Sequence, residues 1–338
     1  MDSMSAPPLD AQSGTAAGPA SAGEPSCRPG KVPVSVLIPT LNEAKNLPRC
    51  LDHLTWADEV VILDSNSTDD TPKIAAAYGA KLANFTWNGH WPKKRNWALR
   101  HGPMKHDWVL MVDADEWLMP EVEAEVAQVI KSDKYVGYYI NRRFIFMGRW
   151  LRHCGYYPSW NLRLLKRGYG EFERLTNVED TGSGDNEVHE HVVVKGPVGY
   201  LKAEMLHLAY PDIATFVEKH NRYSSWEAAV QLAGVHRKQE HGFSGNTSLN
   251  WRRRLKQLSR LLPFRPTLRF LYSYILQRGF LDGSVGFHFC RLLAMYEFLS
   301  VAKYHEMKQA RDDQRLSRQL SDVPARNWKE TTEAQAIV

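Results

Sequence analysis

Between residues 33 and 116 the chain repeats one pattern: a short apolar run closes on a polar or acidic cluster, and a helical stretch leads to the next run. The first run, 34–38, precedes Pro39-Thr40-Leu41-Asn42-Glu43. The second, 60–63, precedes Asp64-Ser65-Asn66-Ser67-Thr68-Asp69-Asp70. The fourth, 108–112, precedes Asp113-Ala114-Asp115-Glu116, and 80–85 forms the third. Such runs read as strands buried on both faces. The connections carry helix signals. Asn46 is placed to cap a helix with Leu47, Cys50, Leu51 and Leu54 on one face and Pro48 in its first turn. Residues 72–78 stop at Gly79, and 92–101 is again helical. The βαβαβαβ order predicts a parallel, mostly buried sheet with helices on both faces.

Beyond this half the pattern changes. Residues 121–131 read as a helix, and 135–146, 162–165, 192–194 and 206–208 as strands. Residues 211–233 and much of 249–307 read as helices. The first thirty residues are dominated by Ala, Pro, Ser and Gly without an apolar run, which predicts a disordered tail rather than a signal peptide. The expected organisation is a tail at 1–30, a nucleotide-binding domain at 31–210, a basic helical region at 211–308 and a polar tail at 309–338.

In open parallel α/β sheets, ligands bind beyond the carboxyl ends of the strands. Three of the polar clusters lie there. Asp113 and Asp115, two apart at a strand end, point to one side. Two hard carboxylates suit Mg2+ or Mn2+, with a diphosphate and water completing the shell. Such an ion offsets charge growing on a leaving nucleotide. Asp64 is placed to accept hydrogen bonds from a base or ribose, although a turn role fits the same position. Lys94 and Arg95 open a helix where cations meet phosphates, or where they form a solvated basic face.

The segments Val36-Leu37-Ile38-Pro39-Thr40-Leu41-Asn42-Glu43, Val61-Ile62-Leu63-Asp64-Ser65-Asn66-Ser67-Thr68-Asp69-Asp70-Thr71, Lys94-Arg95-Asn96 and Asp113-Ala114-Asp115-Glu116 together resemble family 2 glycosyltransferases. The resemblance spans about residues 33–120. It implies a GT-A fold, α/β and Rossmann-like, with a mostly parallel central sheet and here a C-terminal helical appendage. It places Thr40, Asn42, Glu43 and Asp64 around a nucleotide, and Asp113 and Asp115 around a metal-bound diphosphate. His207, in Met205-Leu206-His207-Leu208, resembles the metal-binding histidine that many GT-A enzymes carry after a late strand; a packed core histidine fits the same pattern.

Inverting transfer requires one general base on the acceptor hydroxyl. Candidates lie in Asp185-Asn186-Glu187-Val188-His189-Glu190-His191, and Glu190, just before the run 192–194, is the choice; Asp185 and Glu187 remain open. Many family 2 enzymes carry a Glu-Asp pair near this point, where this chain has His189-Glu190. Trp150, Tyr156, Tyr157 and Trp160, with Trp91, are candidates to stack on acceptor sugars, and Arg152 and Arg163 to meet an anionic acceptor.

The formal charge of +5 is uneven: 241–281 has no Asp or Glu and eight Lys or Arg. Arginines interleaved with apolar residues over 251–277 suit an interfacial helix on an anionic membrane, broken at Pro263 and Pro266. No zinc finger or other nucleic-acid-reading motif accompanies the basic stretch. The four cysteines match no zinc spacing and no dense disulfide framework, which favours a reducing cytoplasm. Arg278-Gly279-Phe280-Leu281-Asp282-Gly283-Ser284-Val285-Gly286, with Val188-His189-Glu190 and Asn221-Arg222-Tyr223-Ser224, resembles the bacterial lipopolysaccharide core β-1,4-glucosyltransferase subgroup of family 2. The subgroup implies a nucleotide-sugar donor, UDP-glucose foremost, a lipid-linked saccharide acceptor, and a place on the inner face of the cell membrane. A polyprenyl-phosphate sugar synthase and a non-catalytic nucleotide-sugar or glycan binder are the competing readings.

Overall fold

The computed structural model describes residues 30–90, 92–172, 192–233 and 264–321. The first half follows the expected alternation. Strand β1 (Val32–Thr40) leads to α1 (Leu47–Asp52), β2 (Ala57–Asp64), α2 (Thr71–Ala77), β3 (Lys81–Asn84), α3 (Lys94–His101) and β4 (Trp108–Met111). Strands β3, β2, β1 and β4 lie side by side, and each adjacent pair is parallel. Val34, Val36, Ile38, Ile62 and Leu110 face one layer of core; Leu37, Val61, Leu63 and Val109 face the other. That two-sided burial explains why the runs lack polar alternation.

The second half adds β5 (Glu116–Leu118), α4 (Glu121–Val129), β6 (Gly137–Phe146), β7 (Arg149–Trp150), β8 (Trp160–Lys166), β9 (Gly170–Phe172), β10 (Val192–Val194) and β11 (Val198–His207). Strand β8 inserts antiparallel between β4 and β6, and β6 then pairs parallel with β11. Strand β5 closes that edge antiparallel to β11, and β9 with β10 form a separate ribbon. The sheet is therefore mixed, with β1, β2, β3, β4, β6 and β11 all pointing one way. Their carboxyl ends, including Thr40, Asp64 and His207, share one edge.

Helix α5 (Ile213–Leu232) starts at Asp212, whose side chain accepts from the Thr215 N–H at 2.7 Å. Helix α6 (Arg265–Leu271) has Pro266 in its first turn, the one helical position where proline costs nothing. A π-helical turn at Tyr272–Leu276 and a 3-10 turn at Gly279–Asp282 then lead into α7 (Gly283–Ser321). These helices are not detached: Val285, Phe289, Cys290 and Leu293 of α7 pack with Phe216 of α5 against Phe144, Phe146 and Leu151. Gly279 is required at this junction. A Cβ there would lie 2.8 Å from the Cys290 sulfur and 2.9 Å from that of Cys154.

Candidate active site

Two loops, 40–46 and 65–71, meet at the carboxyl ends of β1 and β2 and are laced together. The Thr40 hydroxyl donates to Asp64 Oδ1 at 2.8 Å, and the Ser67 hydroxyl donates to the same oxygen at 2.6 Å. Asp64 Oδ2 accepts from the Ser67 N–H at 2.7 Å. Asn42 Oδ1 accepts from the Thr68 N–H at 2.8 Å, and the Asn42 and Glu43 N–H groups donate to Ser67 Oγ and Thr71 Oγ1, both at 2.8 Å. Asn42 and Asn66 hold φ of 57° and 61°, the left-handed conformation that asparagine tolerates better than most residues. Asp64 is buried and organises this turn within the chain. Lys94, also buried, donates from Nζ to the Thr40 carbonyl at 2.6 Å.

Past β4, the backbone turns at Asp113-Ala114-Asp115 into β5. Asp113 Oδ1 is gripped by Arg95 and Oδ2 by Arg163 at 2.8 Å. Burial alone would raise the Asp113 carboxyl, but the two guanidiniums hold it well below the usual carboxylate range. Arg163 also binds Glu116 Oε1 at 2.5 Å, and Glu116 Oε2 accepts the Asp113 N–H at 3.0 Å. Asp115 is turned elsewhere. Its Oδ2 lies 3.4 Å from His207 Nε2, and its carbonyl accepts from the Leu208 N–H at 3.0 Å. The Asp115 carboxyl is lowered too: burial opposes, and the neighbouring imidazole outweighs it.

Glu43 faces the same space. Burial pushes its carboxyl up, the Asn46 amide donating at 2.8 Å counters this, and the charges of Asp115 and Asp113 push it further up. Lys219 on α5 acts on both Glu43 and Asp115 in the opposite sense, with its Nζ donating to the Ala209 carbonyl at 3.1 Å.

The structure thus brings Thr40, Asn42, Glu43, Asp64, Lys94, Arg95, Asp113, Asp115 and His207 to one edge, from five separate stretches of chain. It does not make them equivalent. Among the described residues, no three His, Cys, Asp or Glu side chains stand close enough to hold a metal ion together. Asp113 has both oxygens committed to arginines. Asp115 and His207 remain as an oxygen and nitrogen donor pair, and His207 Nδ1 is buried without a hydrogen-bond partner. A divalent ion fits that pair if a bound diphosphate and water supply its other ligands.

Glu190, Asp185, Glu187 and Trp91 lie outside the described residues. The Asn96 amide exchanges two hydrogen bonds with the Phe172 backbone on β9, at 2.8 and 2.9 Å. Two further groups emerge only from the structure: Lys219, and Arg142, whose guanidinium approaches Glu116 at 3.4 Å. Arg163 was legible as a signal, since an arginine inside Leu162-Arg163-Leu164-Leu165 must meet a carboxylate. It meets the protein's own rather than an acceptor's.

Residues 35–183 match the model described as glycosyl transferase family 2. The chain is 28% identical over 288 residues to the lipopolysaccharide core biosynthesis glycosyltransferase LpsC of Rhizobium meliloti (strain 1021), covering 82% of this chain and 93% of the relative. It is 28% identical over 283 residues to an uncharacterized glycosyltransferase of Rickettsia felis, covering 81% and 89%. Among solved structures, glucosyl-3-phosphoglycerate synthase from Mycobacterium tuberculosis in complex with Mn2+, uridine-diphosphate and glucosyl-3-phosphoglycerate is 19% identical. That likeness covers 61% of this chain and 81% of the other, with a TM-score of 0.36.

Proposed function

The chain carries a family 2 glycosyltransferase domain at residues 35–183, and from that premise we propose that it is an inverting, metal-dependent hexosyltransferase of envelope polysaccharide synthesis. The donor is a nucleotide-diphosphate hexose, UDP-glucose foremost. The acceptor is a lipid-linked saccharide of the lipopolysaccharide type, in line with the named activity of the Rhizobium relative. The observation that carries the reading is the approach of Asp115 and His207 to 3.4 Å at the edge where the 40–46 and 65–71 loops also end.

In this reading the laced loops form the nucleotide platform, with Asp64 fixing Thr40 and Ser67 and Asn42 and Glu43 at the rim. Asp115 and His207 hold Mn2+ or Mg2+, and the nitrogen donor favours Mn2+. The ion supplies charge stabilisation to the departing nucleoside diphosphate. Asp113 is a fixed carboxylate that keeps Arg95 and Arg163 in register. Lys219 approaches from α5 as a further cation for the diphosphate. Glu190 takes the proton of the acceptor hydroxyl.

A panel of nucleotide sugars with Mn2+ or Mg2+, read as nucleotide release in the presence of lipid-linked acceptor, tests the reaction. Release from none of them would leave a binding protein. Glu190→Gln is expected to keep metal-dependent UDP binding and to lose transfer by about 10²–10⁴-fold, the range of a positioned general base. A retained rate would point to an acceptor already ionised at neutral pH, as in a polyprenyl-phosphate sugar synthase. Loss in Asp185→Asn instead would reassign the base.

Membrane attachment belongs to the same proposal and places the enzyme peripherally on the cytoplasmic face. Around α6 and the start of α7, Phe264 is 80% and Leu276 71% exposed, and Leu268, Ile275, Phe280 and Leu281 are also exposed. Arg278 and Arg291 lie exposed among them. Apolar side chains beside exposed cations are the composition of an interfacial anchor. One stretch, Gly279–Gln314, is also long and apolar enough by composition to cross a bilayer, but 39% of its apolar window is buried inside the protein. We therefore place it on the surface of the bilayer. The protein is expected to sediment with phosphatidylglycerol vesicles and not with phosphatidylcholine vesicles, and Leu276→Glu with Phe264→Glu is expected to abolish this. Equal sedimentation of the double variant would remove the anchor.

A further inference from the structure

On one face of the sheet, behind the catalytic edge, two large rings stand out of the core. Trp160 on β8 is 42% exposed and Tyr200 on β11 is 55% exposed. They meet edge to face at 5.0 Å, and Tyr139 on β6 stacks under Tyr200 at 5.0 Å and 18°. Cross-strand pairing sets this order: Trp160 lies opposite Asn141, and Tyr200 opposite Tyr139.

A polar ladder joins this platform to the β6–β7 hairpin. Asn141 accepts from the Ser159 N–H at 2.8 Å and donates to Glu204 at 2.5 Å. Glu204 also accepts from the Tyr157 hydroxyl at 2.8 Å and pairs with Arg143. The ladder ends at Trp150, whose ring lies between two guanidiniums, Arg143 at 4.5 Å and Arg152 at 4.4 Å, with Tyr157 at its edge. Arg143 has its acid in Glu204. Arg152 has no ion pair among the described residues. Asp282, close by, is occupied by the backbone N–H groups of Arg152 and His153 and by the His153 ring. Trp150 Nε1 is buried and has no acceptor. A cation held by stacking but left without an anion therefore sits beside an indole N–H left without an oxygen.

We propose that this strip binds an acidic oligosaccharide, the part of the acceptor beyond the sugar that receives the hexose. Trp160 and Tyr200 take sugar-ring faces, and Arg152 takes a phosphate or carboxylate. The inference rests on the glycosyl-transfer reading and names the acceptor class for it. The register supports the placement. Trp160 lies level with Asn141, three residues from Phe144, which pairs with His207. At a strand rise of about 3.3 Å per residue, that is roughly 10 Å behind the catalytic edge, and Tyr200 is roughly 16 Å behind it. The strip is thus remote from the reacting bond and suited to an acceptor of several sugars.

The test uses the full-length protein with two separate titrations. One follows the Kd of deacylated, phosphorylated lipopolysaccharide core oligosaccharide, alongside its dephosphorylated form and maltohexaose. The other follows the Kd of UDP with Mn2+. Trp160→Ala and Tyr200→Ala are each expected to weaken the oligosaccharide about tenfold, the loss of about 1.4 kcal/mol, while Trp160→Phe keeps most of the affinity. Arg152→Gln is expected to weaken the phosphorylated form about tenfold and to leave the dephosphorylated form unchanged. UDP binding is expected to be unaltered in all four. Unchanged oligosaccharide affinity in Trp160→Ala and Tyr200→Ala, or no oligosaccharide binding by the wild type, overturns the strip and leaves the donor reading standing. Absence of UDP binding in the wild type overturns the donor reading instead, and the oligosaccharide result still decides the strip.

Discussion

Asp115→Ala is expected to lower nucleotide-sugar turnover by about 10³-fold or more while the protein remains folded. The size follows from what the residue is asked to supply. Stabilisation of a leaving diphosphate by a bound ion is worth several kcal/mol, and each 1.36 kcal/mol is tenfold in rate. Retention of the fold follows from its surroundings. Asp115 has His207 as its side-chain partner at 3.4 Å, and the backbone bond from Leu208 uses its carbonyl rather than its carboxylate. Alanine therefore strands no buried cation. Two readouts check the assignment: nucleotide release with Mn2+, and the metal dependence of UDP affinity, which the variant is expected to lose. Asp113→Ala makes the contrast. It leaves Arg95 and Arg163 short of an acid, so its loss of activity is expected to come with lost stability. Full activity in Asp115→Ala would remove the metal from the mechanism, whatever the fate of Asp113.

The two acidic residues are indistinguishable in the sequence, and the reason lies in distance along the chain. The strand at 108–112 and the turn after it follow from local patterning, and so do β1, β2 and their polar ends. The partners that separate Asp113 from Asp115 do not. Arg163 is fifty positions from Asp113, and His207 arrives on β11 from the far side of the sheet. Local apolar runs reveal the strands β8 and β11 but not their neighbours. The insertion of β8 between β4 and β6, which delivers Arg163, depends on how Leu164 and Leu165 divide between the two core layers. The same limit applied to the aromatic residues. Of those read as acceptor candidates, Tyr156 packs in the core against Phe144 and Phe289. Trp160 stands exposed and gains a companion, Tyr200, which nothing in its own neighbourhood marks. The C-terminal helices were legible as helices and as a basic apolar surface. Their docking through Phe289 against Phe144 and Phe146 was not, because a helix that packs on one side and is exposed on another carries apolar residues on both.

Arg163→Ala is expected to cost about 3–5 kcal/mol of folding stability, the range for a buried ion pair that loses one partner. That is a large share of the 5–15 kcal/mol a domain commonly has. The Arg163 side chain is 8% exposed and that of Glu116 is wholly buried. Removing the guanidinium leaves Arg142, at 3.4 Å, as the cation beside Glu116 and Arg95 as the cation on Asp113 among the described residues. Urea unfolding at pH 7 measures the loss as a lower midpoint. Its pH dependence separates this cause from a mere packing defect. In the wild type the folded Asp113 carboxyl lies below its unfolded value, so its contribution is present above the ordinary carboxylate range and is lost only as pH falls through the folded value. In the variant, burial acts on Asp113 with less to oppose it, and its carboxyl takes up a proton more readily. Protonation relieves the stranded charge. The stability gap between wild type and variant is therefore expected to narrow as pH is lowered from 7 towards 4. A gap that stays constant over that range would mean that the guanidinium fills space at the strand ends and does not hold the two carboxylates in place.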